Sequence, residues 1–142
     1  MTPAELAATH QLAFADERPW SSAEFADLLG QRGMILCGTP ASYILGRVTV
    51  DEAEILTVAT APDQRRKGLA RAATTAFCDE AAAAGAQTVF LEVASDNIAA
   101  TKLYHSLNFA QVGQRRAYYH RRDGSRADAL ILRRVIAPAR IA

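Results

Sequence analysis

The sequence predicts an α/β (α+β) fold with a mixed, mostly antiparallel central sheet flanked by helices. Three observations predict it. Three β-type runs joined by tight turns precede Thr60. Two apolar runs, Ile55–Thr60 and Thr88–Val93, are separated by an alanine-rich helical segment, and a helical crossover makes such strands parallel neighbours. Two further β-type runs close the chain around Arg122-Asp123-Gly124-Ser125. With 142 residues, half of them apolar, the chain can bury one ordinary core, and a single domain over 1–142 is the expectation.

The elements follow in order. Thr2-Pro3 with Glu5 predicts a capped helix running to about Phe14, and Ser21 with Glu24 opens a second, ended by Gly30 and Gly33. Met34 to Cys37 and Ser42 to Val50 read as a hairpin across Gly38-Thr39-Pro40, and Glu54 to Thr60 as a third strand. A helix from about Lys67 to Ala84 carries a stripe of Leu69, Ala73, Ala76, Phe77, Ala81 and Ala84 for burial. The Thr88–Val93 run, continuously apolar but for Glu92, reads as a strand covered on both faces. Asn97 to about Leu107 is a helix stopped by Asn108, a residue that tolerates left-handed backbone. Phe109 to about Tyr119 pairs with Ala127 to Arg134, and the tail from Ala137 is expected to fray.

Composition excludes several classes. Sixteen basic and fifteen acidic residues leave a charge of +1, which gives no general field for nucleic acid or an anionic membrane. No apolar run approaches about 18 residues and no signal sequence opens the chain, so the expectation is a cytoplasmic protein without membrane contact. Cys37 and Cys78 form no CxxC pair and have no metal-ligand spacing with His10, His105 or His120, so they read as buried free thiols and no metal is expected.

The most informative turn is Arg65-Arg66-Lys67-Gly68-Leu69-Ala70, which follows a strand and opens a helix. The first amides of a helix lack intrahelical partners and carry partial positive charge, so they can hold a pyrophosphate. Gly68 permits close approach, Ala70 adds little bulk, and Arg65, Arg66, Lys67 and Arg71 supply local cations. Taken alone, a lone glycine after arginines reads first as a solvated basic loop; its position between two apolar strands favours the phosphate reading.

Arg65-x-x-Gly68-x-Ala70 resembles the pyrophosphate motif of the GNAT superfamily of acetyl-CoA-dependent N-acetyltransferases. Glu92-Val93-Ala94-Ser95-Asp96-Asn97 with Leu103-Tyr104 through Asn108-Phe109 resembles that family's next block. The order Pro19-Trp20-Ser21, Leu91-Glu92-Val93, Asn97, Leu103-Tyr104, Tyr118-Tyr119 is similar to the bacterial ribosomal-protein-alanine N-acetyltransferases. The resemblance implies a sheet splayed between its two parallel central strands, with acetyl-CoA in the splay. Backbone groups of Val58, Ala59 and Thr60 would then meet the pantetheine, the turn from Arg65 to Arg71 the pyrophosphate, and Asn97 the cofactor as well. Two departures stand out. Asn108 replaces a usual glycine, and the family's first strand is absent, which leaves a sheet edge uncovered or covered by another chain, in a monomer or weak homodimer.

Glu92 is a charge inside an apolar strand, costly unless solvated, paired or used. Tyr104 lies about two turns into the following helix. Each has a plain reading, as an edge carboxylate balanced by an arginine and as a core aromatic. Together they suit acyl transfer to an amine: Glu92 as general base, Tyr104 as general acid for the leaving thiolate, and a backbone N–H near Val58 for the oxyanion. The resemblance assigns the same roles. It also implies that Tyr118 and Tyr119 meet an acceptor peptide, with Trp20 bordering the same groove. The expected function is acetylation of a protein N-terminal α-amine, that of an alanine-starting ribosomal protein. The alternatives are a small amine, such as a polyamine, aminoglycoside or amino acid, and a non-catalytic CoA-binding module.

Overall fold

In the computed structural model, residues 1–136 are described; the expectation for the tail from Ala137 lies outside them. Two capping boxes start the chain's first helices, α1 (Pro3–Ala13) and α2 (Ser22–Leu29). Thr2 Oγ1 accepts from the Glu5 N–H at 3.2 Å while Glu5 returns the bond to Thr2 N at 2.9 Å. Ser21 and Glu24 repeat the arrangement at 3.2 and 3.1 Å. Each cap satisfies donors the helix cannot, typically worth about 1 kcal/mol.

Strands β1 (Met34–Thr39), β2 (Ser42–Thr49) and β3 (Glu52–Thr60) form an antiparallel meander. The β1–β2 turn sits at Pro40-Ala41, later than expected, because Gly38 and Thr39 still pair with Tyr43 and Ser42. A single 3₁₀ turn, Pro62–Gln64, leads to α3 (Leu69–Ala83). Then come β4 (Thr88–Ala94), α4 (Ile98–Ser106), β5 (Ala110–His120) and β6 (Arg126–Val135). The sheet order is β1-β2-β3-β4-β6-β5, with β3 and β4 parallel and every other pairing antiparallel. Among the described residues nothing pairs with the outer edge of β1.

A hydrophobic cluster lies on each sheet face. α1 and α2 bring Leu6 and Phe25 onto Tyr43, Leu45 and Ala59, and Tyr43 Oη donates to the Leu6 carbonyl at 2.8 Å. On the other face α3 and α4 bring Ala73, Phe77, Ala81 and Tyr104 onto Ile44, Ile55, Val89, Leu91 and Leu132. Gly46 makes that second packing possible, since a Cβ there would lie 2.4 Å from Phe77 Cζ and 2.5 Å from the Glu54 carbonyl oxygen.

Three further expectations are corrected. The α3 stripe is Ala73, Thr74, Phe77, Cys78 and Ala81, with Ala76 and Ala84 exposed and Leu69 half-buried. Thr74 can face the sheet because its hydroxyl donates back to the Ala70 carbonyl at 2.7 Å. The helix also begins at Leu69 rather than Lys67, because Gly68 is left-handed. Strand β4 is covered on one face only: Val89, Leu91 and Val93 are buried, whereas Thr88, Phe90, Glu92 and Ala94 are half-buried. The cluster under α1 and α2 draws its strand residues from β1, β2 and β3, so it leaves that face of β4 open.

Candidate active site

Strands β3 and β4 pair only between Glu52–Glu54 and Thr88–Phe90 and then part. From Ile55 onward the β4 side of β3 borders a cleft of about 1950 Å³. The cleft runs from the start of α3, through the splay, to a groove between the α1–α2 loop and the β5–β6 hairpin.

At the α3 end, Gly68 (φ 74°, ψ 10°) is the N-cap, with no side chain capping the first amides. A Cβ on Gly68 would meet nothing within 4 Å, so glycine is favoured here by its left-handed backbone and not by space within the protein. Arg66 is also left-handed at φ 65°. Arg65, Arg66, Gly68, Leu69, Ala70 and Arg71 line the cleft; Lys67 does not, and its ammonium reaches Gln64 Oε1 at 3.3 Å. Arg71 Nη2 donates to Ser106 Oγ at 2.7 Å, which ties α3 to α4. Helix amides left uncapped by any side chain, beside Arg65 and Arg66, suit a pyrophosphate.

In the splay, Leu45 faces Thr57 and Gly46 faces Ile55, so Leu56 is an extra residue, a β-bulge. The bulge shifts the alternation: Ile55 and Val58 both face the α3 cluster, while Ala59 faces the α1–α2 cluster. Val58 and Thr60 line the cleft, but Ala59 does not. Asn97 lines it from the cap of α4, where its Oδ1 accepts the Ala100 N–H at 3.2 Å.

Glu92 and Tyr104 line the same cleft. Tyr104 is 4% exposed, edge-on to Phe109 with ring centroids 5.7 Å apart. No buried side-chain polar atom among the described residues lacks a hydrogen-bond partner, and the Tyr104 hydroxyl is bonded to none of those residues, so it opens to the cleft. Burial, then proximity to Tyr119, raises the Tyr104 pKa well above its ordinary value. Tyr119 is pushed up to about 12 by burial first, then by Glu92, Glu17 and Tyr118. Tyr119 therefore lies within electrostatic reach of both Glu92 and Tyr104. Glu92 is half-buried and paired, with Arg115 Nε 3.1 Å from its Oε1.

The far end of the cleft holds residues that sequence reading misses. His10 is 3% exposed on α1, and its Nδ1 accepts the Trp20 N–H at 3.0 Å. That leaves Nε2 to donate to Thr57 Oγ1 at 3.1 Å. The ring stacks between Phe14 (4.4 Å) and Trp20 (5.1 Å), which positions Trp20 at the groove. The spacing Leu6, Thr9, His10 on α1 was the available signal. Tyr118 and Tyr119 both line the groove, Tyr118 exposed and Tyr119 half-buried, with rings 5.3 Å apart at 83°. Their aim comes from a bulge: Arg115 faces Ala129 and Tyr119 faces Ala127, so three β5 residues oppose Asp128 alone. Asp128 Oδ1 accepts the N–H of left-handed Ala117 at 2.7 Å, and its Oδ2 accepts from Gln114 at 2.6 Å. Arg121 and Asp96, both at the cleft wall, are joined by two bonds at 2.6 and 2.8 Å, and the Arg122 N–H reaches the Asp16 carbonyl at 3.1 Å.

Comparison with known proteins gives this geometry its family. Residues 5–109 match the model of the Acetyltransferase (GNAT) family. The chain belongs to the GNAT acetyltransferase family. This acetyltransferase is 38% identical over 130 residues to the [ribosomal protein bS18]-alanine N-acetyltransferase of Escherichia coli, covering 89% of the present chain and 87% of that one. It is 36% identical over 130 residues to the N-alpha-acetyltransferase RimI of Mycobacterium tuberculosis, at 85% and 78% coverage. The crystal structure of the ribosomal-protein-S18-alanine N-acetyltransferase from Escherichia coli superposes with a TM-score of 0.87 at 34% identity, over 97% of this chain and 90% of that chain. Ard1 from Thermoplasma volcanium, at 23% identity and a TM-score of 0.80 over 97% and 95% of the two chains, shares the fold. The enzyme is thus an N-acetyltransferase of the acetyl-CoA-using GNAT type. Among the described residues no cluster of three His, Cys, Asp or Glu side chains is arranged to hold a metal, and no helix is long and apolar enough to cross a membrane.

Proposed function

We propose that this enzyme transfers the acetyl group of acetyl-CoA to the α-amine of a protein N-terminus, that of an alanine-starting ribosomal protein of the bS18 kind. The observation that carries the reading is that the α3 amides, the β3–β4 splay, Glu92, Tyr104 and the paired tyrosines all border one continuous cleft. The acceptor class is supported by the 38% identity to the bS18-alanine enzyme.

An α-ammonium has a pKa of about 8, so near neutral pH the base has one proton to remove before or during attack. Glu92, half-buried at the cleft wall, takes that proton directly or through a water. Attack on the thioester carbonyl puts charge on its oxygen, which a backbone N–H at the Leu56–Val58 bulge stabilises. Collapse breaks the C–S bond, and Tyr104 gives its proton to the leaving sulfur. Its raised pKa keeps that proton in place until the sulfur carries charge. Two protons leave the nitrogen in all, one from the ammonium before attack and one from the tetrahedral adduct; one of them replaces the proton that Tyr104 gives to sulfur and the other passes through Glu92 to solvent, so each turnover of the ammonium form releases one proton.

The test is acetyl-CoA turnover on N-terminal hexapeptides, polyamines and aminoglycosides, alongside Glu92→Gln and Tyr104→Phe. General acid–base groups contribute about 10²–10⁴-fold, so each variant should lose at least a hundredfold in kcat on the alanine-starting peptide. Reaction with a small amine and none with the peptides would overturn the acceptor. Full activity in both variants would overturn the acid and base.

A further inference from the structure

Resting on the assignment of Glu92 as the group that meets the amine, we propose that Arg115 is a latch on this carboxylate, displaced by the acceptor's own α-ammonium, and that it thereby sets acceptor affinity. The bulge opposite Asp128 fixes where Arg115 stands on β5. From there its guanidinium spans the site's two functions: Nε is 3.1 Å from Glu92 Oε1, and Cζ is 5.4 Å from the Tyr118 ring centroid. The two partners differ in freedom. The Arg115 side chain is 56% exposed and sits on an edge strand, whereas the Glu92 side chain is 30% exposed on a strand paired through Ile131. The cation can leave and the carboxylate cannot follow.

The nearest approach is 3.1 Å, and unlike the Arg18–Glu24 and Arg121–Asp96 pairs, each joined by two hydrogen bonds, it is not reinforced by an aligned bidentate fork, which makes it the weaker form of an arginine–carboxylate pair. Among the described residues Arg115 is the only cation paired with Glu92. An incoming α-ammonium brings the same charge to the same oxygen pair, and like charges oppose each other there. Binding is therefore an exchange of cations, and the affinity observed is reduced by whatever the resting pair contributes. An exposed pair of this kind contributes up to about 1 kcal/mol, so its loss should be worth roughly two- to fivefold in affinity.

The experiment measures calorimetric binding of an alanine-starting hexapeptide to the CoA-saturated enzyme. Arg115→Gln should tighten the peptide about two- to fivefold, and Arg115→Lys should return it toward the unmodified enzyme. The gain should vanish in a Glu92→Gln background, and it should be absent for the N-acetylated peptide, which has no ammonium. Unchanged CoA affinity and circular dichroism would show that the site remains folded. Weaker or unchanged peptide binding in Arg115→Gln overturns the proposal, as does a gain that persists when Glu92 is replaced, which would assign the effect to Tyr118. Turnover of Glu92→Gln judges the base separately: full activity there removes the base assignment, while the binding cycle still decides the latch.

Discussion

His10 illustrates how one side chain can hold two elements at a site. Its two ring nitrogens join the α1–α2 loop, through Trp20, to the bulged part of β3, through Thr57. Burial lowers its pKa from 6.5 to about 4, with Glu24 opposing and Arg18 adding slightly. Between those values the unfolded chain binds a proton at this position and the folded chain does not. Stability should therefore fall as pH drops from about 6.5 towards 4. Urea unfolding at pH 7, 6 and 5 should show that decline, and His10→Gln should flatten it. An identical slope in the variant would mean that other groups carry the pH dependence. The lowered carboxyls of Asp96 and Asp128 titrate below their ordinary 3.8 and so act outside this window.

At the scale of an element, α3 is both a packing helix and a charged end. Its buried stripe faces the sheet, while its first amides, uncapped by any side chain, face the cleft. Gly68 links the two roles because left-handed backbone at φ 74° lets the helix start where its amides are free. Gly68→Ala should cost about 1–2 kcal/mol of stability from the left-handed conformation. Gly68→Glu adds a negative charge where phosphates are expected, so acetyl-CoA affinity should fall at least tenfold further, as read by calorimetry. Equal affinity in the alanine and glutamate variants would remove the phosphate role from this turn. Strand β5 makes the complementary point at the other end of the cleft. A regular strand would alternate Arg115, Ala117 and Tyr119 on one face, and the bulge held by Asp128 changes that presentation.

For the whole molecule, the cleft is a consequence of how the two hydrophobic clusters are shared out. Helices α3 and α4 cover β4 on one face, and α1 and α2 stop short of it on the other. Packing of α3 against β2 depends on Gly46, whose missing Cβ is replaced by the Phe77 ring. The Glu54 carbonyl, 2.5 Å from that Cβ position, belongs to the backbone and cannot swing away. Gly46→Ala should therefore destabilise by about 1–3 kcal/mol, as overpacked cores do. At this chain size that is a fall in Tm of several degrees, measurable by calorimetry. An unchanged Tm would mean that the sheet and α3 separate more easily than their packing implies.

The local features were legible in the sequence because local chemistry sets them. Capping boxes at Thr2 and Ser21, the left-handed stop at Asn108 and the glycine turn at Gly68 each depend on residues within a few positions, and the parallel pairing of β3 and β4 follows from the single helix that connects them in sequence. The family motifs singled out Glu92 and Tyr104 for the same reason. The open face of β4, the bulges at Leu56 and before Tyr119, and the meeting of Arg115 with Glu92 were not legible. Each depends on strand register and on which helix covers which strand, and those are settled by packing between residues far apart in the chain. The sequence by itself determined the elements, their order and the glycine turn that opens α3. Tertiary structure alone decided which face of the sheet stays open and which side chains converge there, because a one-residue shift in register changes the face every later side chain presents.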